Sequence, residues 1–446
     1  MLETLIPWLY VLSLFACAMT IVLRPSLMLR PSMFFVMVML VIINIAAAFV
    51  DKTTYSTMPG IDQLRLTTIL FPFPVLAWVL ATPFLSSTTA SIYGECRGTA
   101  STAFRFQRRE AWIAAIFTIV ALFVAAGYLV TVPLGQTGLW ALLSDPANTA
   151  QAREMSVKGV SNPLVTYAYT FFRASFAPVL IVLLVYGLSW RMPFRSILLL
   201  GTILLCIVIV ALEGARMPIA MLLLAVGFAW LLLRGISRGS IVFAAVVACS
   251  LAIILSLTLL RESEHRGPSR DLSMYTEPLV DRAFVVPFET GARSMFYSYD
   301  HGSTGTRTTR PAAVVANEEY INLPLTVYRR HYPFGLEYGS INTCFLFDLQ
   351  VSAGLWGGWW LSLVGLCLLD LLPYLFLRAR GLVLVAFYSA FLCSLLVLSF
   401  SAYTTSLLSG GLLLIPLLAR ASSPVETRGE PGRSTSIVSD EVGCVR

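Results

Sequence analysis

Long apolar runs alternate with short polar turns from the start of the chain to about residue 420. A helix needs about 20 apolar residues to cross a hydrocarbon core of about 30 Å. About eleven runs approach that length: residues 5–23, 33–50, 66–85, 112–132, 172–189, 196–212, 217–233, 240–260, 346–377, 382–400 and 404–419. The pattern predicts an all-α polytopic integral membrane protein with one long loop subdomain. The first run lacks a basic lead-in and feeds through an Arg-bearing turn into a second apolar run, so it reads as a retained span rather than a secretory signal.

Composition agrees. Hydrophobic residues make up 57% and charged residues 12% of the chain, against about a quarter charged in soluble domains. The net charge of +7 follows from basic loops, and no basic-aromatic pattern points to nucleic acid. Seven of the eight cysteines fall in spans or on the basic side. Cys344 is left as the one external thiol, which argues against a structural disulfide.

Arginine in short loops resists translocation and so reports orientation. Arg24 and Arg30, then Arg97, Arg105, Arg108 and Arg109, then Arg191 and Arg195, Arg234 and Arg238, and Arg378 and Arg380 mark five cytoplasmic turns. The expected layout is helices 1–8 over residues 1–260, a long extracytoplasmic loop over 261–345, helices 9–11 over 346–420, and a polar cytoplasmic tail over 421–446. The N-terminus and the segments 51–65, 133–171, 213–216 and 261–345 then lie outside. The long loop holds nine arginines and all three histidines, but ten acidic residues offset them. Bulk positive charge therefore explains nothing there, and individual side chains must.

The sharpest local signal is Glu213-Gly214-Ala215-Arg216-Met217-Pro218, a turn squeezed between two apolar runs. Pro218 suits the first turn of the next helix, whose free N–H groups beside Arg216 make an anion site suited to phosphate or carboxylate. The competing reading has Arg216 reaching headgroups with Glu213 as its partner. Arg153, Glu154 and Lys158 precede Asn162-Pro163, and Arg173 follows at the expected mouth of the fifth span. In the long loop, Arg282, Arg293, Asp300, His301, Arg329, Arg330 and His331 are candidates against a background of ordinary solvated charge. Asp300 beside His301 has the composition of a poised base. Nucleotide-binding loops, dinucleotide fingerprints, zinc-protease and hydrolase motifs and paired-cysteine metal sites are missing from the sequence. That directs attention to a substrate reached from the outer face, such as a lipid-linked donor.

Four stretches together resemble the bacterial O-antigen polymerases, the Wzy-type oligosaccharide repeat-unit polymerases. They are Ala152-Arg153-Glu154 through Phe176-Ala177-Pro178, Gly214-Ala215-Arg216, Arg282-Ala283-Phe284-Val285-Val286-Pro287, and Asn342-Thr343 through Gly354-Leu355-Trp356-Gly357. The resemblance covers about half the chain and rests on order and placement. It implies a GT-C-like, metal-independent glycosyltransferase of the bacterial inner membrane, related to the O-antigen ligases, with no cofactor. Its donor and acceptor would be undecaprenyl-pyrophosphate-linked glycans, with a flippase and a chain-length regulator as partners. By matching position it makes Arg153, Arg216 and Arg282 ligands for the pyrophosphate, with Arg173 and Arg293 as further candidates. Ala215 departs from the Gly-Thr-Arg of related polymerases and removes a hydroxyl. No motif fixes the acceptor base, for which chemistry alone offers Glu213, Asp300 and His301. The alternatives are a flippase or exporter for the same lipid-linked glycan, and an O-antigen ligase. A carrier should hold its charges midway along spans, where Asp348 and Asp370 are the main exceptions to an apolar rule.

Overall fold

A computed structural model describes residues 2–49, 58–101, 108–144, 152, 155–156, 160, 162–187, 193–214, 216–235, 285–331 and 343–423. Among these residues every regular element is helical. The N-terminal half begins with α1 (Leu2–Leu23), α2 (Pro31–Met39) and α3 (Ile45–Phe49). It continues through α4 (Ile61–Leu70), α5 (Pro72–Ala81), α6 (Pro83–Ser101), α7 (Arg108–Thr131) and α8 (Gly138–Ser144). Next come α9 (Pro163–Phe171), α10 (Ala177–Gly187), α11 (Pro193–Ala211) and α12 (Arg216–Arg234). The expected long loop contributes α13 (Val286–His301), α14 (Arg310–Ala316) and α15 (Leu323–His331). The chain closes with α16 (Phe345–Ala353), α17 (Leu355–Leu369), α18 (Gly381–Val397), α19 (Tyr403–Leu407) and α20 (Leu414–Ala421).

Seven helical stretches are long and apolar enough to cross a membrane: Thr4–Leu23, Pro31–Phe49, Ile61–Ala81, Arg108–Thr131, Leu164–Gly187, Met217–Arg234 and Leu355–Phe376. Ile197–Ala211 and Gly381–Val397 are shorter apolar helices. The expected span 240–260 lies outside the described residues, as does the tail beyond residue 423.

α18 is the axis of the bundle. Leu382 through Leu395 are all buried, and the helix packs against α2, α6, α10 and α12. A helix apolar on every side has no face to offer water, so it sits at the centre. Glycines set how closely some neighbours approach. A Cβ on Gly358 would fall 2.2 Å from Gln350 Cα, and one on Gly291 would fall 2.1 Å from the Phe347 ring. These contacts bring α17 against α16, and α13 against the other side of α16.

Three of the expected spans change. The run 346–377 is two helices, because Gly354 takes φ 79° and reverses the chain between α16 and α17. A single 32-residue helix would be about 48 Å long, well beyond a bilayer core of about 30 Å. The run 404–419 is also broken: α19 and α20 are separated by a turn through Gly410 and Gly411, the latter at φ 86°. The fifth span starts near residue 163 rather than 172, because Asn162 caps it with Oδ1 accepting from the Leu164 amide at 2.9 Å, and Pro163 occupies the first turn. Cys344, expected as the external thiol, is 1% exposed at the start of α16.

Two charged residues of the apolar core meet at one end of the bundle. Arg30 and Asp370 are both 0% exposed and form an ion pair at 2.7 Å. Asp370 also accepts from the Ser32 amide and hydroxyl and from the Trp78 indole. The guanidinium spends its other donors on Val79 O, Thr82 O, Thr82 Oγ1 and Ser86 Oγ. The network ties the α1–α2 turn and the α5–α6 kink to the end of α17. A buried ion pair is tolerable only when its remaining hydrogen-bonding capacity is met in this way.

Candidate functional site

At the opposite end of α12, the α11–α12 turn meets the fifth span. Between α9 and α10 the backbone forms a π-turn over Phe172–Phe176, an element found often where a helix must re-aim a side chain. Because the helix now begins at Pro163, Arg173 lies within the span Leu164–Gly187 rather than at its mouth. Its guanidinium pairs with the Glu213 carboxylate, the two side chains being 22% and 13% exposed. Arg173 also lies over the Tyr169 ring at 5.6 Å. The Tyr169 hydroxyl donates to the end of α11, 3.0 Å from Ile209 O, and accepts from the Glu213 amide at 3.4 Å.

The surroundings come from four stretches of sequence. Tyr128, near the end of α7, stacks on Tyr169 with ring centroids 4.7 Å apart. Ser156, fully buried, lies beside the Tyr128 hydroxyl and borders this site. Leu139 N donates to Leu212 O at 3.1 Å, and a Cβ on Gly138 would fall 2.1 Å from Glu213 O. Gly214, at φ 74°, is the glycine that lets the α11–α12 turn close tightly. On the other side of the π-turn the break between α19 and α20 packs so closely that a Cβ on Gly411 would lie 2.3 Å from Ser175 Oγ. Ser175 is 1% exposed, and among the described residues its hydroxyl has no hydrogen-bond partner.

Glu213, the partner that the competing reading assigns to Arg216, pairs with Arg173. Arg216 opens α12 at the same turn, so its backbone lies within one helical turn of Glu213. The free amides of that helix start face the same end of the bundle. A cation braced by a carboxylate and an aromatic ring, beside a helix start, can receive an anion. Arg153 and Arg282 lie outside the described residues.

The remaining candidates belong to a second cluster on α13 and α15. Arg293 pairs with Glu289 one turn away. Asp300 pairs with Arg330, which also lies over Phe296 at 5.5 Å. His301 is exposed, stacks on Tyr297, and has Nδ1 3.0 Å from Tyr297 O. Asp300 and His301 therefore face different partners and do not form an acid–base pair. His331, a candidate set against a background of solvated charge, has its Nε2 buried. Burial, then Arg293 and Arg330, hold its imidazole below the usual histidine range. α13 packs on α15 and α16, so this cluster lies on a separate wall from Arg173 and Glu213.

Among the described residues no group of three or more His, Cys, Asp and Glu side chains gathers as a metal site would. Sequence reasoning missed Ser175, Tyr128 and Tyr169 as neighbours of the arginine. Ser175 was visible only as a polar residue two positions after a charged one inside an apolar run. No family model, curated protein or solved structure matches the chain.

Proposed function

We propose that this chain is a membrane glycosyltransferase that joins polyprenyl-pyrophosphate-linked oligosaccharide repeats into a longer chain at the periplasmic face of a bacterial inner membrane. The observation that carries this reading is the meeting of Arg173 and Glu213, bordered by Ser156 and by the turn that opens α12 at Arg216. Two of the stretches that resemble O-antigen polymerases, 152–178 and 214–216, thus contribute residues to one end of the bundle. In this reading the Glu213 end faces the periplasm, with the N-terminus, and the C-terminus is cytoplasmic.

The acceptor hydroxyl attacks the anomeric carbon of the donor's reducing-end sugar. The bond from that carbon to the pyrophosphate oxygen breaks, and polyprenyl pyrophosphate leaves with the electron pair. Arg173 and Arg216 meet the charge that develops on it, as fixed donors do for other leaving anions. Glu213 orients Arg173 and, among the described residues, is the carboxylate at this site that would take the hydroxyl proton. An oxocarbenium-like centre needs little deprotonation of the acceptor in advance.

A second reading, a carrier for the same lipid-linked glycan, draws support from the broken helices around Gly354 and Gly411, since discontinuous helices are a hallmark of transporters. Liposomes holding the purified protein and a lipid-linked repeat separate the two. The polymerase lengthens the glycan without net translocation, and Arg173→Ala slows lengthening roughly a hundredfold. Translocation without lengthening overturns the proposal. In cells lacking the protein, lipid A core bearing one repeat marks loss of polymerisation, whereas core alone marks a ligase.

A further inference from the structure

The end of the bundle opposite Glu213 carries a cleft that the proposed reaction does not use. It measures about 530 Å³ and is lined by Arg108, Arg109, Trp112, Ile113, Ile116 and Ser422. Arg108 and Arg109 open α7, and the membrane-length stretch Arg108–Thr131 runs on from them. Ser422, just past the end of α20, closes the far side. Arg108 is exposed and Arg109 half-buried, and Arg109 Nη2 is buried with no hydrogen-bond partner among the described residues. The neighbouring carboxylate, Glu110, is 4% exposed, approaches Gly381 and also acts on the Arg109 guanidinium, which leaves two cations to one carboxylate at the cleft mouth.

Below the arginines the lining turns apolar. Trp112, Ile116, Ile119 and Phe123 are all more than half exposed, and their spacing puts them on one stripe of α7. That stripe continues the cleft along the part of the helix that faces hydrocarbon. Two guanidinium groups above an indole and a row of isoleucines match a ligand with an anionic phosphate at one end and an alkyl chain at the other. We infer that the cleft binds one anionic phospholipid of the surrounding leaflet, its phosphate between Arg108 and Arg109 and an acyl chain along Trp112 and Ile116. Charge complementarity selects phosphatidylglycerol or cardiolipin over zwitterionic lipid. The inference stands on the membrane reading alone and is independent of the glycan chemistry.

The test is native mass spectrometry and thermal unfolding of the full-length protein in detergent with dioleoylphosphatidylglycerol, dioleoylphosphatidylcholine or inorganic phosphate added. Phosphatidylglycerol is expected to remain bound at least about tenfold more tightly than phosphatidylcholine, a difference one charge-assisted contact can supply. Inorganic phosphate, lacking the alkyl chain, should give no stabilisation. Arg108→Gln with Arg109→Gln should abolish the preference. If that double variant does not fold, Ile116→Trp, which fills the cleft without touching charge, should reduce phosphatidylglycerol retention to the level of phosphatidylcholine. Equal retention of the two lipids by the unaltered protein overturns the inference. So does stabilisation by phosphate alone, or a preference that survives every variant that folds.

Discussion

Two arginine–carboxylate pairs stand at opposite ends of the bundle, and they are built differently. Around Arg30 and Asp370 every guanidinium nitrogen is engaged, both side chains are fully buried, and the partners come from three separate segments. Around Arg173 and Glu213 the pair is partly exposed, sits on a π-turn and beside a helix break, and has an unpartnered serine hydroxyl next to it. The first has no hydrogen-bonding capacity left to offer a ligand. The second is reachable from solvent, and local helix geometry has been given up to hold it there. A charge inside a membrane protein is costly in either setting, so what separates structure from chemistry is how much of its hydrogen bonding is already spent.

The largest effect that tests this contrast is at Asp370. Asp370→Ala leaves the Arg30 guanidinium buried without its counter-charge, which costs about 3–5 kcal/mol and should lower the unfolding midpoint in detergent sharply. Replacing both partners together, Arg30→Met with Asp370→Leu, removes the buried charge altogether and should recover most of that loss. If the double replacement is as damaging as the single one, the network does more than join helices, and the contrast fails.

Glu213→Gln is the matched experiment at the other end. The pair there is partly solvated, so its removal should cost only about 1 kcal/mol in unfolding, while glycan lengthening falls far more than stability does. A large stability loss with lengthening unchanged would make this pair a second structural tie. Ser175→Ala has a smaller expected effect. A buried hydroxyl without a partner has little folding energy to lose, so the midpoint should hold or rise slightly. Slower lengthening in that variant would show that the hydroxyl meets substrate.

Much of the fold was legible from apolar periodicity, and what was not has physical causes. The start of α9 was signalled by Asn162-Pro163, but Thr166, Tyr167, Tyr169 and Arg173 diluted the apolar run and hid eight or nine residues of helix. The break at Gly354 follows from length, since the run 346–377 exceeds a bilayer, although its position depended on a positive φ that many glycines could have supplied. Arg30 and Asp370 are 340 residues apart. Sequence marked each as a charge out of place without matching them. The Arg173–Glu213 pair was hidden for a different reason. Arg216 is three residues from Glu213 and offered an obvious local partner, while the π-turn that aims Arg173 is a product of tertiary packing.

The cluster on α13 and α15 stands between the two extremes, and pH is the variable that tests it. Its cations are Arg293, Arg330 and His331; its carboxylates, Glu289 and Asp300, pair with the two arginines. His331 is left facing positive charge, with Glu289 the one group that favours its protonation, and burial and both arginines hold its pKa below the ordinary value of 6.5. The unfolded chain then binds the proton more readily than the folded one. Stability should be unaffected above the unfolded pKa, fall as pH drops below it, and level off once pH passes the folded value. Unfolding midpoints measured from pH 7.5 down to about 5 should show this decline in the unaltered protein and a shallower one in His331→Gln. Equal slopes would mean that the imidazole is already as free to protonate as in the unfolded chain. The cluster would then be ordinary solvated surface rather than a partly desolvated site like that of Arg173.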